Sequence, residues 1–192
     1  GSRKVAFTLG TSVPEAFFLV AASSGAEVVD SWGLNVDDDA RNMLAAAIDR
    51  VSRVVESAQH PDRLIWILVR TPELGRVDAV LTLDVHSVLD GESIDTLEIA
   101  LETSPAQEGT IQRKVSRRRV GIGEALVMHD FEQGPDGDGG VRRVTERAYV
   151  ALFPTPEVLL SYRLMTQDLM LFDDAVDFLF SVASQASVGG EG

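Results

Sequence analysis

The sequence contains no cysteine among its 192 residues. Disulfides, thiolate metal ligands and cysteine nucleophiles are therefore excluded, but the cellular compartment stays open because an exported protein can also lack cysteine. Lysine is nearly missing too, since Lys4 and Lys114 are the only two. No apolar run approaches the roughly 20 residues that a membrane helix requires. We therefore expect no membrane insertion.

Positive charge is scarce relative to negative charge. The formal net charge is −13 and the isoelectric point is about 4.5, which disfavours binding to nucleic acid or to anionic lipid. Gly1 and Ser2 stand in place of an initiator Met and are typical of a cloning remnant. We expect a cytoplasmic protein, with export left open because such a remnant replaces the native N-terminus, where a signal or lipid anchor would lie.

The length and periodicity predict one α+β domain over residues 1–188 and a disordered tail over 189–192. A single domain of this size buries roughly 70% of its unfolded-chain surface. We expect a central, mostly antiparallel sheet with helices packed on its faces. Residues 187–192 are expected to fray.

The first third of the chain is expected to contain two short strands and a long helix. Residues 5–9 and 16–22 are apolar, Pro14 separates them, and they suit the two strands of a hairpin. The residues at 23–25 then break the pattern. Residues 37–58 show apolar positions at i, i+3, i+4 and i+7, which predicts a helix that begins at the aspartates of 37–39.

The remaining segments mostly alternate with the period of two that strands show. Residues 64–69 are apolar without a break, which suits a strand covered on both faces, and we expect this strand to pair with 77–89. Residues 93–103 suit a short helix. Further segments predict strands at 110–120, 124–132, 142–153 and 157–166, a flexible hairpin loop at 134–140, and a final amphipathic helix after residue 167.

Residues with recognisable site chemistry are few. The three histidines, His60, His86 and His129, are far apart in the sequence, so a zinc site would have to assemble in space from two of them and a carboxylate. Asp136 resembles the start of a calcium loop, but the twelfth residue from it is Arg147 rather than an acidic ligand. The sequence has no phosphate-binding loop and no nucleophile elbow. We predict no catalytic residue, no metal and no cofactor.

One local feature is unusual: a run of basic residues in the strand predicted at 110–120. Strand alternation places Arg113, Arg117 and Arg119 on one face and Lys114 and Arg118 on the other. One interpretation is a docking stripe for an acidic partner or a phosphate; the other is a solvated edge strand whose charges prevent edge-to-edge pairing. Neutralisation by nearby Asp and Glu is a further alternative. The candidate partner-binding residues are Arg113, Arg117, Arg118 and Arg119.

The C-terminal half resembles the Mog1/PsbP-like proteins. The resemblance rests on Gly-Glu-Ala at 123–125, Arg-Ala-Tyr-Val-Ala at 147–151, Val-Leu-Leu-Ser-Tyr-Arg at 158–163 and Phe-Asp-Asp-Ala-Val-Asp-Phe-Leu-Phe-Ser at 172–181. It implies a small α/β sandwich and a binding or assembly role, since members engage a small GTPase or dock to photosystem II. It implies no catalytic residue that can be transferred to this chain.

Three hypotheses about function follow. The first is a bacterial, non-enzymatic binding or accessory module that engages a protein partner. The second is an enzyme or small-ligand carrier whose site assembles only in three dimensions, with His86, His129, Asp84 and Asp130 as the residues to examine. The third is a structural homodimer formed through the sheet face or the open edge.

Overall fold

The computed structural model describes residues 7–11, 13–14, 16–20, 24–56, 63–103, 109–121, 123–134 and 143–190. Nine strands and four α-helices lie within these residues. In chain order they are β1 Phe7–Gly10, β2 Phe17–Leu19, α1 Gly25–Ser31, α2 Asp38–Glu56, β3 Arg63–Leu68, β4 Ala79–Ser87, α3 Ile94–Thr103, β5 Thr110–Val120, β6 Gly123–Gln133, β7 Val144–Thr155, β8 Val158–Thr166, α4 Ala175–Ser184 and β9 Ser187–Gly190.

The alternating segments form a seven-stranded sheet in the order β2-β3-β4-β8-β7-β6-β5. Every neighbouring pair is antiparallel, which confirms the α+β class. The predicted pairing of 64–69 with 77–89 is confirmed as the β3–β4 pair. β1 and β9 form a separate two-stranded sheet.

The helix α4 covers one face of the sheet, which we call the α4 face. Its Leu179 and Ala183 have no exposed surface and pack in one cluster with buried side chains from six strands, Tyr162 of β8 among them. Burying an aliphatic or aromatic side chain of this size contributes about 1.5–3 kcal/mol. The predicted cover of the sheet by the last helix is therefore observed.

The other three helices cover the opposite face, the α1–α3 face, at its two ends. At one end, Leu44 and Ile48 of α2 pack with Val28 of α1 against Ile67 of β3. At the other end, half-buried side chains of α3 pack against Leu126, Met128 and Tyr149. Because Trp66 and Leu68 belong to the α4-face cluster and Ile67 to the opposite one, the end of β3 is covered on both faces, as predicted.

The long helix α2 confirms the prediction from periodicity. Asp37 precedes it and accepts a hydrogen bond from the backbone N–H of Ala40 at 2.7 Å, which satisfies a donor that the first turn leaves free. The acidic side chains of Asp38 and Asp39 lie in that turn, where the helix dipole favours negative charge.

The predicted N-terminal hairpin is wrong. β1 pairs with β9, and β2 pairs with β3, so the two segments enter different sheets. Phe17 N–H donates to Pro14 O at 3.0 Å, and this turn directs β2 toward β3. The pattern shows that both segments are extended, but their partners are distant in sequence and cannot be found from local periodicity.

Within the expected break at 23–25, Ser24 and Gly25 begin α1 instead. Ser24 caps the helix by accepting from the N–H of Glu27 at 3.4 Å, the first half of a capping-box pattern. A Cβ on Gly25 would lie 2.1 Å from the carbonyl oxygen of Ala45. Gly25 is therefore needed for the close approach of α1 to α2 and does not interrupt the helix.

The final helix starts at Ala175 rather than directly after residue 167. Asp174 caps α4 by accepting from Asp177 N–H at 2.9 Å, so the helix begins at Ala175. Residues 187–190, which we expected to fray, form β9 against β1. Of the loop predicted at 134–140, residues 135–140 lie outside the described residues. Among the residues described, no helix is both long and apolar enough to cross a membrane.

Candidate functional site

α4 leaves the outermost strand of its face uncovered, and a groove lies there. The groove has a volume of about 430 Å³ and runs between β5–β6 and the start of α4. The observed register places the side chains that β5, β6 and β7 contribute to this groove on the α4 face. The lining residues are Lys114, Ser116, Arg118, Val127, His129, Glu146, Asp173, Asp174, Ala175 and Val176.

A histidine and a carboxylate from adjacent strands are paired in the groove. His129 Nε2 donates to Glu146 Oε2 at 2.9 Å, and the Glu146 side chain is only 13% exposed. The ring of Phe131 packs edge-on against the His129 ring at 5.0 Å between centroids. The second carboxylate oxygen, Glu146 Oε1, is buried and finds no hydrogen-bond partner among the described residues, which is unfavourable for a carboxylate.

β5 supplies the cations of the groove. Lys114 lies directly across from His129, and Arg118 lies across from Ala125. Arg118 donates to Asp177 of α4 and its guanidinium lies 5.4 Å from the centre of the Phe180 ring. Among the described residues, Lys114 forms no ion pair. The two cations thus differ, since only Arg118 is held by a carboxylate.

The start of α4 supplies two of the carboxylates. Asp174 accepts from the N–H of Asp177 as the helix cap, and the preceding Asp173 is exposed. Together with Glu146 they give the groove three carboxylates. Only one cation, Lys114, is left there without a carboxylate partner among the described residues.

On the other face of β5, Arg117 is neutralised within the chain. Arg117 donates to Glu98 of α3 at 2.7 Å, and also to Asp95 of α3 and Glu124 of β6. These hydrogen bonds, first to Glu98 and then to Asp95, raise the pKa of Arg117. Arg117 therefore stays charged and ties α3 to the edge of the sheet.

A second cluster on the same face surrounds Asp130, which has no exposed surface. Arg147 donates to its Oδ1 at 2.6 Å and to its Oδ2 at 2.8 Å, and Arg113 donates to Oδ2 at 3.2 Å. The hydrogen bonds to Asp130 raise the pKa of Arg147. Asp130 and the two arginines therefore form a structural ion cluster on the α1–α3 face of the sheet.

The structure separates the four candidate partner-binding arginines. The predicted alternation is confirmed, with Arg113, Arg117 and Arg119 on the α1–α3 face and Arg118 on the α4 face. Arg113, Arg117 and Arg118 each bond a carboxylate. Within the described part of the chain, Arg119 has no ion pair. The strand is also at the edge of the sheet, as the edge-strand interpretation requires.

The residues chosen for an assembled enzyme or metal site do not come together. Asp84 and His86 lie on β4, and His129 and Asp130 on β6, with β8 and β7 between these strands. Three strand spacings put β4 and β6 about 14 Å apart. Asp84 is buried and accepts from Arg63. The described residues contain no group of three or more His, Asp or Glu arranged to hold a metal.

Sequence reasoning missed Glu146, Ser116 and the carboxylates of 173–174. Strand alternation could have put Ser116 beside Lys114 and Arg118, because residues two apart share a face. Glu146 and Asp173 enter the groove only through the pairing of β7 with β6 and the seating of α4. Nothing local in the sequence marks them.

No protein-family model matches the chain, and no curated protein sequence matches it. Among solved structures, it is similar to LpqN of Mycobacterium tuberculosis, a protein involved in cell envelope biogenesis. The two chains are 14% identical with a TM-score of 0.39, and the match covers 97% of this chain and 86% of that chain. This distant likeness carries no argument about function, so the Mog1/PsbP-like resemblance stays a prediction.

Proposed function

We propose that this chain is a non-enzymatic binding module that engages a protein partner along β5. The observation that supports it best is the position of this strand, which is 11 residues long, lies at the end of the sheet and pairs, among the described residues, with β6 alone. Such an edge presents a row of free N–H and C=O groups. An extended segment of a partner can bond them as an added strand.

The side chains of β5 supply selectivity. Charges on an edge strand discourage indiscriminate pairing, so a partner has to bring complementary groups. Lys114 and Arg118 meet it in the groove on the α4 face, while Arg117 and Arg119 meet it on the other side of the strand. Of the predicted partner-binding residues, Arg117, Arg118 and Arg119 therefore act from both faces of one edge, whereas Arg113 is held by Asp130.

We also propose that the chain has the Mog1/PsbP-like architecture. A helix-covered antiparallel sheet agrees with a Mog1/PsbP-like sandwich, whose members are binding or assembly factors. We further propose a bacterial protein that works in the cytoplasm without a cofactor.

Reversal of one charge on the edge tests this proposal. Arg119 is exposed and, in the described part of the chain, has no ion pair, so Arg119→Glu leaves the fold intact. We expect it to reduce capture of the partner several-fold, with a lysate of the organism that encodes the chain as the source and quantitative mass spectrometry as the measurement. Arg53→Glu, on the exposed side of α2, is the matched control and should leave capture unchanged.

A reversal of Arg117, Arg118 and Arg119 together is a poorer test. Arg117 and Arg118 bond α3 and α4, so the triple variant would disturb both helices. Equal capture by wild type and Arg119→Glu would contradict binding along β5. Loss of capture in Arg53→Glu alone would place the partner on α2 instead.

One observation favours an enzyme as the second candidate. Ser116, His129 and Glu146 come from three adjacent strands and line the same groove, and the His–Glu pair is formed. A hydroxyl, a base and an orienting carboxylate are the parts of a nucleophilic site. Among the residues described, however, Ser116 makes no hydrogen bond to His129. Hydrolysis of p-nitrophenyl acetate that Ser116→Ala abolishes would favour this candidate over the binding module.

The homodimer is disfavoured by charge. Pairing β5 with β5 of a second copy would oppose two basic strands, and like charges directly across a strand pair are destabilising. Light scattering after size-exclusion chromatography distinguishes a monomer from a dimer. A stable dimer would favour the homodimer, and Arg119→Glu should then strengthen it by removing part of this repulsion.

A further inference from the structure

The cations of β5 are not equally available to a partner. Arg113 is bonded to the buried Asp130, and Arg117 is bonded to three carboxylates of the chain itself. Arg118 is bonded to Asp177 in the first turn of α4. A bound carboxylate offsets most of the field of such a cation. These three positions therefore attract an acidic partner only weakly.

Two cations of β5 stay available, and they lie on opposite faces of the strand. Lys114 and Arg119 are exposed, and neither forms an ion pair among the described residues. Because they are five positions apart, an odd number, alternation puts Lys114 on the α4 face and Arg119 on the α1–α3 face. A strand extends about 17 Å over this spacing.

We propose that the partner segment carries two acidic residues five positions apart, one facing Lys114 and the other facing Arg119. The proposal rests on the proposed function and specifies the sequence of the segment that pairs with β5. Side chains directly across a strand pair lie about 5 Å apart, where opposite charges are favourable. The spacing is the same for an antiparallel and a parallel added strand, because both place one residue beside each residue of β5.

The buried carboxylate of the groove lies too far away to cancel the attraction of Lys114. Glu146 is on β7, and three strand spacings, about 14 Å, separate β7 from a strand added to β5. The acidic residue of the partner lies about 5 Å from Lys114. Salt screens interactions beyond about 10 Å, so the near cation outweighs the distant carboxylate.

The partner residues that face Arg117 and Arg118 are expected to be neutral. A carboxylate beside Arg117 would meet the three carboxylates that already surround this side chain. One beside Arg118 would meet Asp177 at the acidic start of α4. Like charges at such close range are destabilising. Read from the residue that faces Arg119, the recognition sequence is therefore acidic, neutral, neutral, two unrestricted positions and acidic.

The experiment uses the full chain, isotope-labelled for NMR, and blocked peptides of equal length built from Thr and Val. Three of the peptides carry two Glu residues, spaced five, four or two positions apart, and a fourth carries Gln at the five-apart positions. Titration of the backbone amides gives each affinity and shows whether β5 is the site.

We expect the five-apart peptide to bind about two- to fivefold more tightly than the four-apart and two-apart peptides, the range for one additional exposed charge pair. The four-apart peptide can reach Lys114 together with Arg118, and the two-apart peptide can reach Arg119 together with Arg117. In each case only one of the two cations is available, so only one new pair forms.

Substitution of either available cation tests the same peptides. Lys114→Gln and Arg119→Gln should each weaken the five-apart peptide about two- to fivefold and remove its preference over the four-apart peptide. Both side chains are exposed, so these variants keep the fold. The matched control is Arg53→Gln, which removes an exposed charge of α2 and should leave the preference unchanged.

Several results would overturn the inference. These are tighter binding of the four-apart or two-apart peptide, a preference that survives Lys114→Gln, or no binding by any peptide. A single-stranded oligodeoxynucleotide that binds β5 as tightly as the five-apart peptide would also overturn it, because any row of negative charges would then suffice. If all four peptides bind β5 equally, the inference fails while binding along β5 stands. If the captured partner leaves β5 unprotected from hydrogen exchange, the proposed function itself fails.

Discussion

Asp130 is fully enclosed, and two guanidinium groups hold its carboxylate in place. A buried charge with its partners is tolerated, but removing one member leaves the others uncompensated. The cluster joins β5, β6 and β7 side by side, and therefore stabilises the strands that form the groove.

Asp130→Asn should lower the free energy of unfolding by about 3 kcal/mol, because Arg113 would lose its carboxylate partner and Arg147 would keep only Glu132. Urea titration measures the change. The matched control is Asp30→Asn, which removes an exposed pair with Arg41, where the side chains are 63% and 42% exposed. An exposed pair contributes less than about 1 kcal/mol. Equal effects of the two substitutions would contradict this account.

Tyr162 gives the chain a pH dependence at its alkaline limit. The side chain has no exposed surface, and its hydroxyl lies 3.0 Å from Thr11 Oγ1. Burial raises the pKa of Tyr162 above the ordinary 10.0, while the hydrogen bond to Thr11 opposes the shift. The unfolded chain thus releases the phenolic proton at a lower pH than the folded chain does.

The sign of the effect follows from proton linkage. Below pH 10 the folded and the unfolded chain both keep the phenolic proton of Tyr162. Above pH 10 the unfolded chain releases this proton first, which favours unfolding. The contribution of Tyr162 to stability is therefore lost as pH rises through the folded pKa. Tyr162→Phe should therefore flatten the decline of unfolding free energy above pH 10. Urea titrations over a pH series measure the slope, and identical slopes for both proteins would show that Tyr162 does not titrate as described.

At the scale of elements, α3 is attached less firmly than the other helices. None of its residues is fully buried, and Arg117 adds polar bonds to Asp95 and Glu98. Arg113 also donates to the carbonyl oxygen of Leu101 at 3.4 Å. Helices with few buried contacts open locally before the whole chain unfolds.

Arg117→Gln should accelerate amide hydrogen exchange in α3 while leaving exchange in α4 unchanged. The physical reason is the loss of the ion pairs that tie α3 to β5. Arg119→Gln is the control, since Arg119 shares the strand and the face but, within the described residues, pairs with no carboxylate. If the control accelerates α3 equally, general loss of positive charge rather than this contact holds the helix.

The elements differ in how well the sequence predicts them. α2 is long, and its apolar positions at Leu44 and Ile48 recur with a clear helical period, so its bounds fall within two residues of those predicted. α1 has only seven residues and starts at a glycine. The close packing of α1 on α2 requires that glycine. Such packing is a tertiary contact, which the periodicity of the sequence does not reveal.

The candidate site could be predicted only in part. Alternation correctly places Lys114 and Arg118 on one face of β5, because side-chain direction in a strand is local. The ion pairs of Arg117 with α3 and of Arg118 with α4 depend on how the helices seat on the sheet. The groove itself needs the order β7-β6-β5 and the late start of α4 at Ala175, which local patterns do not specify.

At the scale of the whole molecule, the sheet has two edges that differ in length and charge. β2 is three residues long, whereas β5 is 11 residues long and carries five cations. A short edge offers few backbone groups to a partner, and a long charged one offers many but selects by charge. In a chain with a net charge of −13, β5 is therefore the edge that we assign to binding.

Amide hydrogen exchange of the chain with and without its captured partner tests the central claim most directly. If the partner adds a strand to β5, exchange should slow in residues 110–120 and stay unchanged in β2, the other edge of the same sheet. Slowed exchange in β2 or α2, with β5 exchanging as in the free chain, would contradict the claim that β5 is the binding edge.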